Sequence, residues 1–136
     1  MPAIQSAKEL IVYQKSYALA MRIFEISKRF PSEERYALTS QIRRSSRSVS
    51  MNLCEAWAKR RYEAHFVSKL SDCDAENSET DTSLDFARDC GYITITEHRE
   101  LVAQSEEVGR MLGEMIRFPI KFLLPPKQAY LCRSDP

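Results

Sequence analysis

Helical apolar periodicity runs through most of the chain, in four segments separated by proline, glycine or capping residues. Alternation at period two is limited to the short string Ile93-Thr94-Ile95, and only three glycines occur in 136 residues. Apolar spacing of three to four residues is typical of helices that bury one face. The pattern therefore predicts an all-α protein, an antiparallel up-down-up-down four-helix bundle over residues 1–118, followed by an irregular tail over residues 119–136.

The first segment, residues 8–29, carries two adjacent apolar stripes. They are Leu10, Tyr13, Tyr17, Ala20 and Phe24, and beside them Val12, Leu19, Ile23, Ile26 and Phe30. Two stripes cover more of a helix than one core face requires. Because a large exposed apolar surface usually marks an interface, we expect part of this helix to contact another copy of the chain.

The second segment follows a proline stop. Pro31 does not fit a helix interior, and Ser32 is a good N-cap for the helix that comes after it. This second helix is predicted to end near Trp57. Its predicted buried residues are Leu38, Ile42, Val49, Leu53 and Ala56.

Glycine and a capping box mark the last two helices. The third is predicted to begin within residues 59–62 and to end before Gly91, which serves as a left-handed stop. Thr94 and Glu97 have the spacing of a capping box for a fourth helix, which Pro119 ends or kinks. The predicted core residues on the four helices are Tyr17, Phe24, Ile42, Leu53, Phe66, Leu70, Leu84, Leu101, Leu112 and Met115.

Several function classes lack their sequence features. No run of ~18 apolar residues occurs, which excludes a membrane-spanning helix, and the opening residues lack the basic and apolar regions of a signal peptide. We therefore expect a cytoplasmic protein. The cysteines show no C-x-x-C pairing, so we interpret them as small buried hydrophobes in a reducing compartment, with the tail cysteine the most exposed. They are Cys54, Cys73, Cys90 and Cys132.

Catalytic and metal-binding patterns are also missing. His65 and His98 lie on different predicted helices without a neighbouring ligand, and no phosphate-binding glycine loop occurs. The acidic run through the third helix raises a metal site as an alternative, but Glu76-x-x-Glu79 lacks the histidine of a bundle carboxylate site. A solvated or salt-bridged face is the simpler interpretation. We expect no enzyme activity, no metal, no cofactor and no small-molecule substrate.

Charge is distributed unevenly along the chain. Residues 1–70 hold 13 Lys and Arg against 6 Asp and Glu, whereas residues 71–136 hold 7 against 13, although the net charge is only +1. We expect one half to face an anionic partner, while the other half is solvated or meets a basic neighbour. If the two halves lie on different flanks, copies of the chain can meet head to tail and close a ring.

The basic residues of the second helix and of the junction after it are the candidate nucleic-acid contacts. They are Arg43, Arg44, Arg47, Lys59, Arg60 and Arg61. Tyr36, Trp57 and Tyr62 lie nearby in sequence and are candidates for stacking on bases. Two hypotheses remain open: these cations contact the phosphates of RNA or DNA, or they pair with carboxylates of the third helix, within or between subunits.

Several strings resemble a known family, the proteins encoded by 23S rRNA intervening sequences. They are Glu9-Leu10-Ile11-Val12-Tyr13-Gln14-Lys15, the second-helix string Leu38-Thr39-Ser40-Gln41-Ile42-Arg43-Arg44 with Asn52-Leu53-Cys54-Glu55 after it, and Glu76-Asn77-Ser78-Glu79-Thr80. The chain is also similar to the accessory proteins of diversity-generating retroelements.

The resemblance implies a ring-shaped homopentamer that associates with nucleic acid or the ribosome, and it does not supply a biochemical activity. It also implies that Glu76 and Glu79 form a polar layer with arginines of the second helix. The chain departs from the family at Ser50, where a proline is usual, and at Ala56, where a glycine is usual. We therefore expect a less sharp break between the second and third helices. The alternative is a structural or protein-binding oligomer without nucleic acid.

Overall fold

The computed structural model describes residues 4–124 and contains four helices. They are α1 (Ile11–Ser27), α2 (Leu38–Ala58), α3 (Glu63–Asp89) and α4 (Ile95–Arg117). Three single 3-10 turns accompany them, at Ala7–Glu9, Ser32–Glu34 and Pro119–Lys121. Residues 4–124 form no strand, which confirms an all-helical bundle. The predicted tail thus begins with a 3-10 turn, and its last twelve residues, 125–136, lie outside the described range.

The stop and cap signals of the last two helices are confirmed. Gly91 has φ +79°, a left-handed conformation that glycine adopts without a Cβ clash. The Thr94 hydroxyl accepts from the Glu97 N–H at 3.0 Å, and the Glu97 carboxylate accepts from the Thr94 N–H at 2.9 Å. This reciprocal pair satisfies two backbone donors that the first helical turn leaves without partners.

The predicted start of α2 is wrong. Ser32 begins a 3-10 turn instead of capping the helix, and α2 starts six residues later at Leu38. The Glu34 carboxylate accepts from the Leu38 N–H at 3.3 Å, so a side chain of the turn serves the exposed donor. At its other end α2 continues through Ser50 and Ala56 and ends at Ala58, before α3 starts at Glu63. That this break is less sharp than is usual in the family stays a prediction.

Eight of the ten predicted core residues are buried, all with 4% exposure or less. Tyr17 is wrong, because its side chain is 53% exposed, and Phe24 is only half-buried. Both lie on the first stripe of α1. The second stripe, with Val12, Leu19 and Ile23, faces the core instead. The first stripe is divided, because Leu10 and Ala20 are buried in the core while Tyr17 is exposed and Phe24 is half-buried.

A belt of hydrogen-bonded polar side chains divides the core into two apolar clusters. One cluster contains Leu53 and Leu70, and the other contains Ile23 and Leu84. The belt consists of Ser16 with Ser50 (2.8 Å), Ser45 with Thr80 (2.9 Å), and Asn77 with the Ser105 carbonyl (2.9 Å). Every helix contributes to this belt. Since a buried polar group without a partner costs about 1–3 kcal/mol, the belt penalises any sliding of one helix along another.

Other sequence expectations are tested only within the described range. None of the helices between residues 4 and 124 is both long and apolar enough to cross a bilayer. In this range no three His, Cys, Asp or Glu side chains cluster as a metal site would require. Cys73 is buried, and its burial raises the pKa of the thiol to about 12. Cys54 and Cys90 are exposed free thiols, contrary to the expectation of buried cysteines, and Cys132 lies outside the described residues.

Candidate interaction surface

The seam between α1 and α4 is crossed by ion pairs. They are Lys15 with Glu107 (2.6 Å), Arg22 with Glu100, and Arg29 with Glu97 (2.7 Å). The basic first half of the chain thus meets the acidic second half inside one subunit. The prediction that the two halves face different partners is wrong for this seam, because the sequence separation of these residues hides their contact in the fold.

Arg44 belongs to a second set of internal pairs, between α2 and α3. Its guanidinium bonds to Glu76 at 3.2 Å and to Glu79, and the hydrogen bond with Glu76 raises its pKa. The resemblance implies a polar layer of Glu76 and Glu79 with arginines of the second helix, and among residues 4–124 Arg44 alone of these arginines contacts the two glutamates. Of the two hypotheses for the basic residues, pairing with third-helix carboxylates describes Arg44.

Arg60 is also engaged within the chain. Its guanidinium carbon lies 3.6 Å from the centre of the Trp57 ring, and its Nε donates to the Trp57 carbonyl at 2.9 Å. Burial lowers the pKa of Arg60. Trp57 is itself only 9% exposed, so the prediction that it stacks on a base is wrong. The Leu124 N–H donates to the Arg60 carbonyl at 3.3 Å and anchors the chain after α4 at this junction.

Arg43 and Arg47 turn towards α1 rather than α3. Their guanidinium carbons lie 4.8 and 5.5 Å from the centre of the Phe24 ring. The Arg43 Nε donates to the Ser27 hydroxyl at 2.7 Å. Among residues 4–124 neither arginine forms a salt bridge. The structure thus separates Arg43 and Arg47 from Arg44, although all three were predicted as one basic group.

Lys59 and Arg61 are exposed at the turn between α2 and α3. Neither has a carboxylate within salt-bridge distance in the described part of the chain. Tyr62, which follows them, is 52% exposed, and its ring lies 5.5 Å from that of His65. Of the six basic candidates, only Arg44 has an ion-pair partner in the range 4–124. Arg60 is held against Trp57, and the other four have no carboxylate partner in this range: Arg43, Arg47, Lys59 and Arg61.

An apolar strip lies beside the arginine pair, on the outer face of α1 and α2. We define the α1–α2 strip as Tyr13, Tyr17, Met21, Met51 and Cys54. Tyr17, Met21 and Met51 are 53%, 46% and 68% exposed, and the strip lines a shallow groove of about 530 Å³. Tyr13 and Tyr17 belong to the first apolar stripe of α1, whose other members Leu10 and Ala20 are buried in the core.

A second apolar surface lies between α2 and α3. We define the α2–α3 groove by Tyr36, Leu38, Phe86 and Cys90, which line a cavity of about 830 Å³. Tyr36 is 87% exposed and Phe86 is 59% exposed. Sequence analysis gave no role to Phe86, because it lies outside the apolar stripe of α3, and it named Tyr36 only as a candidate for stacking on bases.

Sequence analysis also missed the parts of the site that α1 supplies. Phe24 was predicted to be core, and Ser27 and Lys28 were not considered. The spacing of Phe24 and Lys28 carried a signal, since residues four apart share a helix face. Nothing in the sequence pairs Ser27 with Arg43, because that contact depends on how α1 lies against α2.

The fold and this surface define an all-helical bundle protein with exposed apolar and basic faces. The chain belongs to the family of 23S rRNA-intervening sequence proteins, whose sequence profile matches residues 8–114. No curated protein matches it. A solved structure with a similar fold is a protein of unknown function from the S23 ribosomal protein family of Bacteroides thetaiotaomicron. It is 29% identical, with a TM-score of 0.71, and the match covers 79% of this chain and 96% of that chain.

Proposed function

We propose that this chain is a non-enzymatic helical module that associates with copies of itself and presents a repeated basic surface to RNA or DNA. The α1–α2 strip carries the self-association part of the proposal. Exposed methionine and tyrosine side chains that line one groove are the composition of an interface core. The separation of the histidines supports a non-enzymatic role, since His65 packs on Tyr62 and His98 bonds to Asp85 at the other end of α3.

The two apolar surfaces favour a head-to-tail contact. If the α1–α2 strip of one copy met the same strip of another, the α2–α3 groove would stay exposed on both. A contact of strip with groove covers both surfaces, and such heterologous contacts close into rings when the rotation fits. The opposite charges of the two halves of the chain do not add support for this contact, because residues of the two halves form ion pairs within one subunit. The number five comes from the family resemblance alone.

An up-down-up-down path of the helices is part of the same proposal. Ser16 of α1 bonds to Ser50 of α2, whereas Ser27, later in α1, bonds to Arg43, earlier in α2. This reversed order of contacts supports an antiparallel pair. It also places the Phe24 end of α1 beside the first half of α2.

Complementing variants test the head-to-tail contact. Met51→Glu puts a charge on the α1–α2 strip, and Phe86→Glu puts one in the α2–α3 groove. We expect the unmodified chain to be an oligomer at micromolar concentration in light scattering, and each variant to be monomeric, because burying an unpaired charge is costly. Mixed together, the two variants retain one intact strip and one intact groove, and should form a heterodimer.

The controls separate this proposal from simpler ones. Ala103→Glu adds the same charge at an exposed position of α4 and should leave the oligomer intact. A monomeric unmodified chain would contradict self-association. Loss of assembly in Met51→Glu but not in Phe86→Glu would replace the head-to-tail contact with one of strip on strip.

Nucleic-acid binding is the second part of the proposal, and the cations without carboxylate partners favour it. Arg43, Arg47, Lys59 and Arg61 have no carboxylate partner among residues 4–124, whereas Arg44 is held by two carboxylates and Arg60 is partly buried against Trp57. Repetition around an oligomer would multiply weak contacts by multivalency, which would suit a chain whose net charge is only +1. The competing function is a structural or protein-binding oligomer.

A salt titration decides between these two functions. Binding of single-stranded and duplex RNA or DNA by the assembled protein is measured by fluorescence anisotropy as the salt concentration rises. Each phosphate contact should add about 0.7 to 0.9 to the magnitude of the slope of log K against log salt. Removing the charges of Lys59 and Arg61 should lower the slope, and Arg44→Gln is the matched control. No binding at low salt, or a slope of zero, would leave the structural oligomer as the function.

A further inference from the structure

Three cations converge on one aromatic ring at the end of the α1–α2 face. The Lys28 ammonium lies 4.7 Å from the centre of the Phe24 ring, and the guanidinium carbons of Arg43 and Arg47 lie 4.8 and 5.5 Å from it. Cation–π attraction holds each of these groups against the ring. Phe24 therefore gathers side chains from two helices into one cluster.

Arg43 is fixed by a second contact. Its Nε donates to the Ser27 hydroxyl at 2.7 Å, and Ser27 is only 2% exposed. The Ser27 hydroxyl itself donates to the Phe24 carbonyl at 3.0 Å. This chain of bonds orients the guanidinium before any ligand arrives. Its terminal N–H donors have no acceptor among residues 4–124.

The charges of this cluster are not balanced within the described chain. The carboxylate of Glu25 bonds to Lys28 at 3.1 Å, and no carboxylate bonds to either arginine in the range 4–124. Arg44 differs from them, because its guanidinium is held by Glu76 and Glu79, two carboxylates about one turn apart on α3. Arg43 and Arg47 are four residues apart on α2 and therefore share one helix face, and both lie against the Phe24 ring. Like charges on one face repel each other, and an anion bound by both would offset that repulsion.

We propose that Arg43 and Arg47, held over Phe24, form a binding site for a phosphate group. Guanidinium forks match phosphate oxygens in geometry and charge, and they bind them through charge-assisted hydrogen bonds. Lys28 adds a third cation on the α1 side. The phosphate comes either from a nucleic-acid backbone or from a free phosphate. In the first case the inference rests on the nucleic-acid part of the proposed function and identifies its phosphate contact.

Calorimetric titration of the full-length protein with inorganic phosphate at low ionic strength tests the site. Binding should weaken about tenfold or more in Arg43→Gln and in Arg47→Gln, because each loses charge-assisted bonds. Arg43→Lys retains the charge but not the fork, and should also bind more weakly. Phe24→Leu keeps an apolar side chain but removes the ring, and should weaken binding while both arginines remain.

Arg35→Gln is the matched control. Arg35 also lies over an aromatic ring, 5.3 Å from the centre of Tyr36, but no second arginine of residues 4–124 lies against that ring. Its loss should leave phosphate binding unchanged. Circular dichroism identifies any variant that fails to fold, and Arg47→Gln, which breaks no hydrogen bond to the core, keeps the test decisive. Equal phosphate affinity of Arg47→Gln and the unmodified chain would overturn the site.

RNA binding by the same variants distinguishes a failure of this site from a failure of the proposed function. If the site contacts a backbone phosphate, Arg47→Gln should lower the salt slope of RNA binding by about one contact. Phosphate binding without RNA binding would support the site and overturn the nucleic-acid function. RNA binding that both arginine variants leave unchanged would overturn the site as a backbone contact and support the function through Lys59 and Arg61.

Discussion

The two sides of α1 differ in how their charges are handled. On the α4 side, Lys15, Arg22 and Arg29 each meet a carboxylate of α4. On the α2 side, the cations lie against the Phe24 ring, and the rest of the face is the apolar α1–α2 strip. Within residues 4–124, the cations on one side of this helix are paired with carboxylates of α4, whereas Arg43 and Arg47 on the other side are not paired with any carboxylate.

The difference between paired and unpaired cations matters when partners are inferred from charge. The excess of basic residues in the first half of the chain predicted an anionic partner, but most of that excess is neutralised across the α1–α4 and α2–α3 seams. Only the cations left without carboxylates, and the apolar surface beside them, indicate what the molecule contacts. The α1–α4 seam is therefore paired within the chain, and our proposal places interaction with partners on the α1–α2 face.

The largest expected effect distinguishes the buried apolar stripe of α1 from the exposed α1–α2 strip. Ile23→Ala, on the buried stripe, should lower the free energy of unfolding by about 2–5 kcal/mol, because it leaves a cavity in the core. Met21→Ala, on the exposed strip, should change the stability of the dissociated chain by about 0.5 kcal/mol or less. Urea unfolding at low protein concentration measures both. A cost for Met21→Ala as large as that for Ile23→Ala would contradict the assignment of this strip to an interface.

A smaller effect is expected at the α4 end of the ion-paired seam. The hydrogen bond from Arg29 lowers the pKa of Glu97, and the bond from the Thr94 backbone adds to this. Since the pKa is lower in the folded state, the stabilisation is present at neutral pH and is lost as the pH falls through the acidic range. Glu97→Gln should lower the free energy of unfolding by about 1 kcal/mol at pH 7. It should also make the fall of Tm towards acidic pH less steep. An unchanged fall of Tm would show that this pair adds nothing.

The smallest effect concerns single arginines on the two sides of α1. Arg22→Gln removes an exposed pair with Glu100 and should cost about 0–1 kcal/mol, less at high salt. Arg47→Gln removes a charge that has no carboxylate partner in the described range, so stability should stay equal or rise slightly. Thermal unfolding at two salt concentrations compares the variants. A larger loss in Arg47→Gln than in Arg22→Gln would reverse the assignment of the two sides.

The sequence was sufficient for features that depend on local chemistry. The capping box at Thr94, the left-handed Gly91 and most of the core follow from residue type and spacing, because each depends on neighbours within a turn of helix or on one buried face. Ser32 is not the cap of α2, because the helix starts later, at Leu38, and the N–H of Leu38 donates to the Glu34 carboxylate instead.

The candidate site could be predicted only in part, because it depends on contacts between helices. Arg43 and Arg44 are adjacent in sequence, but successive residues on a helix point about 100° apart. Arg44 consequently reaches the carboxylates of α3, while Arg43 reaches Ser27 of α1. Arg60 was predicted as a phosphate contact because its stacking on Trp57, three residues earlier, was not considered.

The most direct test of the interaction assignment uses the exposed thiol of Cys54, which lies in the α1–α2 strip. Its rate of maleimide modification is followed by peptide mapping in the unmodified chain and in Phe86→Glu, which alters the α2–α3 groove and leaves the surroundings of Cys54 unchanged. The account predicts slow modification in the assembled protein, and faster modification both on dilution and in Phe86→Glu. Equal rates of Cys54 modification in both proteins at every concentration would contradict it.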